Sequence, residues 1–99
     1  MFVNVFTYRA KPGREADVVA LLEEWDRERR PHIEGFLSAE VLVDVKDARS
    51  FVNIAHFKDE QAARAVADHP DQDAWYRRLV AACESEPIFT DCREAWQSR

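Results

Sequence analysis

The sequence predicts an α+β fold on the ferredoxin-like plan, a four-stranded antiparallel sheet carrying its helices on one face. Three observations lead there. Four stretches, 2–9, 36–44, 50–57 and 88–96, alternate their side chains with the period of two that a strand imposes. Between the first and second of them, and between the third and fourth, apolar residues instead recur at helical offsets. Only Val45–Arg49, short and polar, separates the second stretch from the third, which suits a hairpin loop. The resulting order, β-α-β-β-α-β, is the split βαβ arrangement. Ninety-nine residues make one such domain, 1–99, with a modest core.

Phe2–Arg9 opens the chain as a strand, with Phe2, Asn4, Phe6 and Tyr8 on one face and Val3, Val5 and Thr7 on the other. Ala10-Lys11-Pro12-Gly13 breaks it. The next helix is expected from about Arg14 to Arg30, with Val18, Leu21, Leu22 and Trp25 on one stripe and Pro31 as its stop. His32-Ile33-Glu34-Gly35 connects to the second strand, and Gly35 suits a positive φ. After the third strand, Asp59 is the expected N-cap of a short helix edged by Ala62, Ala65 and Val66. His69-Pro70 interrupts that helix, and Asp71 or Asp73 restarts it. Trp75, Leu79, Ala82 and Cys83 form the next buried stripe before Pro87. Ile88–Trp96 alternates as the last strand.

Composition removes several classes of function. Hydrophobic residues at 46% and charged residues at 33% are ordinary for a globular protein. The net charge is −5 and no stretch gathers Lys and Arg without acids, so nucleic acid is not an expected partner. No apolar run approaches the roughly 20 residues that span a bilayer, and the start does not read as a signal peptide. No membrane association is therefore expected, and the expected location is the cytoplasm. Cys83 and Cys92 follow neither a CxxC nor a zinc spacing and read as reduced, semi-buried thiols. Glu40, Asp44 and Asp47 are irregularly spaced hairpin acids, a poor ligand set, so no metal is expected.

The third strand, Ser50–Phe57, organises the rest. Phe51, Asn53, Ala55 and Phe57 share one face, and Val52, Ile54 and His56 share the other. Both faces are largely apolar and each needs a cover. Helices can cover only one, and the remaining apolar patch is too large to leave in water. A homodimer whose two sheets pack face to face is the economical answer. His56, by parity, then belongs to that interface or to the core. Asn53 is the one amide among the apolar residues of its face. Its side chain either satisfies a stray backbone group or serves a pocket, since a buried amide must find partners.

Gly35-Phe36-Leu37-Ser38-Ala39, together with Phe51-Val52-Asn53-Ile54-Ala55-His56-Phe57 and the following Lys58-Asp59-Glu60-Gln61-Ala62, resembles the antibiotic biosynthesis monooxygenase family of dimeric α+β barrels. The element order covers the whole chain, and these motifs cover about a third of it. The resemblance implies a cofactor-free oxidation of an aromatic or quinol-type, polyketide-like molecule by O2, with Asn53 corresponding to a pocket amide. Two positions depart from the family pattern: Phe57 stands where a Trp is common, and Ala63 where one branch carries a Tyr. The haem-degrading branch is less similar. Its characteristic positions hold Phe6 or Val5, Val66, and Trp75 or Tyr76 here.

The expected site follows. Asn53 stabilises an oxyanion, with His69 or Tyr76 handling a proton. Phe51, Phe57, Trp75 and Trp25 form walls for a flat ring. Each has a plainer reading: His69 as a solvated loop histidine, and Trp25 and Trp75 as core. His32 is expected on the surface, and Trp96 as an anchor of the last strand or the dimer. No cofactor is expected. The rival functions are a non-catalytic ligand-binding or stress-type dimeric barrel and, further off, a haem-binding or haem-degrading protein.

Overall fold

The two stretches that are apolar on both faces take the middle of the sheet, where both faces can be covered. These are β1 (Phe2–Arg9) and β3 (Asp47–Phe57); β2 (Phe36–Asp44) and β4 (Ile88–Arg93) take the edges. The computed structural model describes residues 1–98. Its helices are α1 (Glu15–Glu28), α2 (Glu60–Ala67) and α3 (Pro70–Ala81), and the strand order is β2-β3-β1-β4 with every pair antiparallel. This is the predicted ferredoxin-like α+β fold. No helix among the described residues is long and apolar enough to cross a membrane.

Register settles which residues meet. Phe2 faces Phe57, Asn4 faces Ala55, Phe6 faces Asn53 and Tyr8 faces Phe51 across the β1–β3 ladder. All eight lie on the helix side by parity. Val3, Val5, Val52 and Ile54 lie on the outer side.

The element boundaries correct the sequence reading in several places. α1 ends at Glu28, and Pro31 does not stop it but sits in a short 3₁₀ turn, Arg30–His32. Pro is tolerated there because the first turn of any helix leaves its N–H groups free. The hairpin loop is only Val45-Lys46, and the third strand starts at Asp47 rather than Ser50. The Asp44 carboxylate accepts from the Lys46 N–H at 2.8 Å, which closes that turn. α3 begins at Pro70, before Asp71 and Asp73, because the His69 ring nitrogen Nδ1 accepts from the Asp71 N–H at 3.1 Å and caps the helix. α3 also stops at Ala81, well short of Pro87, and Cys83 pairs with Ala10 in an isolated bridge. β4 ends at Arg93, and Trp96 lies beyond it with its side chain exposed.

Two local features are decided by chemistry visible in the chain. Gly35 has φ 81°, and a Cβ there would stand 2.7 Å from the Ala62 Cβ, so the entry to β2 needs glycine. Asp59 accepts from the Ala62 N–H at 2.8 Å as the N-cap of α2. Asp59→Ala is expected to lose about 1 kcal/mol of stability, read as a lower urea midpoint at unchanged slope.

The core is divided. One cluster joins Tyr8, Phe51 and Phe6 of the sheet to Val18 and Leu21 of α1 and to Trp75 and Leu79 of α3. A second joins Phe57 to Ala62 and Val66 of α2, with Phe2 and Phe36 packed against it. The helices thus grip the sheet in two places. Cys83 is buried, Cys92 is half-buried, and both are free.

Candidate active site

A cavity of about 780 Å³ borders both core clusters, between the sheet and the helix layer. It exists because the side chains that reach it from both layers include several short ones: Ala39 and Ala55 from strands, Ala63 and Ala67 from α2. Phe6 and Phe57 on the sheet, with Trp25, Trp75 and Tyr76 on the helices, supply aromatic walls. The volume lies within the range of small-molecule sites, about 300–1,000 Å³.

Asn53 faces this cavity and is only 9% exposed. The buried Tyr8 hydroxyl donates to its Oδ1 at 2.7 Å. Its Nδ2 has no protein partner among the described residues. Arg29 Nε is the buried side-chain atom without one, so Nδ2 is not sealed in protein and is available to an occupant. The bond from Tyr8 holds the amide oxygen toward the tyrosine and leaves the N–H₂ end unpaired at a residue that lines the cavity.

Burial, and secondarily the Cys83 thiol, raises the Tyr8 phenol well above its ordinary 10.0. Tyr8 stays protonated and remains a donor. The folded state keeps a proton that the unfolded chain releases, so this contribution to stability is complete below pH about 10 and declines as pH rises above it. Tyr8→Phe should be less stable at neutral pH by about 1 kcal/mol, and its stability should fall less steeply at alkaline pH. Urea titrations at a series of alkaline pH values check both.

The other predicted site residues separate into two groups. Trp25, Phe57, Trp75 and Tyr76 join Asn53 around the cavity. Phe51 does not line it; its ring stacks on Tyr8 at 5.5 Å inside the core. His69 does not line it either, and its Nδ1 is engaged in capping α3. Both indole N–H groups are committed: Trp75 donates to the Leu21 carbonyl at 2.7 Å and Trp25 to Gln72 Oε1 at 2.8 Å. The two tryptophans therefore offer an occupant apolar ring surface and no N–H. Burial, then Glu86 and Cys83, raises the Tyr76 phenol, so Tyr76 is a donor rather than a base.

The family profile described as antibiotic biosynthesis monooxygenase matches residues 1–78. The chain belongs to that family. Solved structures agree on the fold. An antibiotic biosynthesis monooxygenase superposes with a TM-score of 0.83 at 19% identity, over 96% of this chain and 99% of that one. SnoaB, a cofactor-independent oxygenase from Streptomyces nogalater solved in a mutant form, gives 0.83 at 18% identity, over 97% and 94%. A conserved protein from Methanosarcina mazei Go1 gives 0.84 at 15%, over 95% and 93%. No curated protein matches the chain.

In this family member the cavity is apolar inside and acidic at its edge. Asp26, Glu40, Glu60, Asp68, Asp73 and Asp91 line it against one cation, Arg64, which pairs with Glu60 at 2.8 Å. Like charge at the entrance opposes an anionic ligand and favours a neutral one. Among the described residues no three His, Cys, Asp or Glu side chains gather to hold a metal ion.

Sequence reasoning missed Tyr8 and Gln72. Tyr8 shares a face with Phe6, and Asn53 with Phe51, but nothing local says which residue of β1 lies beside which residue of β3. Gln72 is a polar residue beside a helix break, with no pattern marking it before α3 is placed against α1.

Proposed function

We propose that the protein is a cofactor-independent monooxygenase that oxidises a flat aromatic or quinol-type molecule with O2 and works as a homodimer. The observation that carries this reading is Asn53, a nine-tenths-buried amide whose N–H₂ end is free beside an aromatic cavity. The apolar walls hold the ring and exclude water. A substrate of the anthrone type loses a proton from its CH₂ group, and the charge develops on the carbonyl oxygen across the ring. The Asn53 N–H₂ donates to that oxyanion and lowers the barrier to its formation. The electron-rich anion passes one electron to O2, the radical pair recombines as a peroxide anion, and this takes back the released proton to become a hydroperoxide. Loss of water then leaves a carbonyl. One oxygen atom ends in the product and one in water, so no outside reductant is consumed.

The released proton goes to water and to the carboxylates at the cavity edge, since Tyr76 is held protonated and His69 lies elsewhere. The likeness of fold to SnoaB supports this class of reaction without identifying a substrate. Trp25, Phe57 and Trp75 line the cavity without filling it, which favours an occupant over a solid core.

Oxygen uptake by purified, metal-free protein offered anthrones and hydroquinones tests the proposal, with a no-protein autoxidation blank beside it. Uptake well above the blank is expected on at least one of them. Binding without uptake across the panel would move the chain to the ligand-binding barrels.

A further inference from the structure

We propose that Gln72 is a second hydrogen-bond donor to the bound molecule, so that the cavity selects a planar ring bearing acceptor oxygens on two edges, of the quinone or hydroxyaryl-ketone class. This rests on the cavity being the ligand site proposed above. Gln72 lies on α3 and lines the same cavity as Asn53 on β3. The two amides are held in the same way. Trp25 Nε1–H donates to Gln72 Oε1 at 2.8 Å, as the Tyr8 hydroxyl donates to Asn53 Oδ1 at 2.7 Å. An amide whose oxygen is engaged must turn its N–H₂ end elsewhere. Neither N–H₂ group has a protein partner among the described residues, and neither is sealed in protein.

One donor comes from the sheet and the other from the helix layer. A ligand that satisfies both must carry acceptors on separate edges of its ring. An oxygen-free edge beside Gln72 would leave that N–H₂ desolvated and unpaired, which costs affinity. The carboxylates of Asp26 and Asp73, which line the cavity on the helix side, accept hydrogen bonds and repel ligand oxygens; of the two α3 donors on the cavity, Gln72 and the Tyr76 hydroxyl, Gln72 is the one that a second side chain orients. Trp25 acts through Gln72 as a positioning residue.

Anthrone and 9,10-anthraquinone share one tricyclic frame and differ by a carbonyl oxygen on the far edge. Their dissociation constants can be measured under argon by quenching of tryptophan fluorescence. The wild type is expected to bind anthraquinone about 5-fold more tightly, the effect of one neutral hydrogen bond. Gln72→Leu removes the amide. Gln72→Glu keeps an acceptor for Trp25 but has no donor to offer. Both should abolish the preference, bringing the ratio of the two constants to about 1. Trp25→Phe keeps a ring but loses the N–H, and should reduce the ratio part-way. A merely structural role for Gln72 would weaken both probes alike and leave the ratio unchanged; that result overturns the proposal, as does failure of anthraquinone to bind the wild type. Asn53→Ala in the same assay should weaken both probes. If it does not, the Asn53 site is at fault, while a ratio sensitive to Gln72 still supports the second donor.

Discussion

Asn53→Ala should lower oxygen uptake about 100-fold or more on whichever anthrone or hydroquinone proves a substrate, the usual cost of one lost oxyanion donor. The loss should fall mainly on kcat, because the aromatic walls that hold the ring remain and the donor matters most once charge has developed. Truncation also leaves the Tyr8 hydroxyl buried without its acceptor, a penalty of about 1–3 kcal/mol in stability. Two further variants separate the effects. Tyr8→Phe with Asn53→Ala should recover part of the stability and none of the turnover. Asn53→Asp keeps an oxygen for Tyr8 but sets a negative charge where the oxyanion forms, so uptake should fall at least as far as in Asn53→Ala. Uptake that survives Asn53→Ala would leave an enzyme whose site lies elsewhere.

Ile54→Lys should convert a dimer into a monomer. Ile54 pairs with Val5 in the centre of the outer face, with Val3 and Val52 beside them and Leu42 and Ile88 exposed at 47% and 70%. The isolated chain exposes 6757 Å². A monomer of this mass ordinarily exposes about 5,800 Å², and a standard interface buries about 800 Å² per partner. The outer face and the exposed tail around Trp96 contribute to the excess, which is close to one interface. A lysine at Ile54 would set an unpaired charge on each side of the buried centre, weakening association at least about 100-fold. Sedimentation equilibrium at micromolar concentration is the measurement. Val19→Lys, on the exposed side of α1, is the control expected to remain dimeric. A monomeric wild type, or a dimer that tolerates lysine at Ile54, would refute the sheet-to-sheet arrangement.

Much of the fold was legible because it rests on local periodicity. The alternation of Phe2–Arg9 and Phe51–Phe57, the stripe through Val18, Leu21 and Trp25, and the cap at Asp59 each depend on residues a few positions apart. The boundaries that went astray involved competition between local signals. Pro31 is acceptable in the first turn of a 3₁₀ helix, and His69 can cap a helix as well as Asp71 can begin one. The last strand ends three residues before Trp96, since β4 keeps its place only while β1 supplies partners, and the ladder closes with Phe2 against Arg93.

The candidate site was legible in its centre and not in its supports. Parity placed Asn53 among apolar neighbours, and a buried amide needs a reason. The structure supplied the partner, Tyr8, 45 residues away in the chain. It also removed Phe51 and His69 from the cavity and added Gln72.

The sequence by itself determined the order of elements, the two faces of each strand, the family and the residue type at the centre of the cavity. The family follows from the resemblance of its motifs, and the rest from propensity and period, which act over short separations. Only the tertiary structure decided the β1–β3 register that brings the Tyr8 hydroxyl to Asn53, and the helix packing that brings Trp25 to Gln72. It also decided the volume left between the two core clusters. Those outcomes depend on which side chains meet after the chain has closed on itself, and no short-range pattern records them.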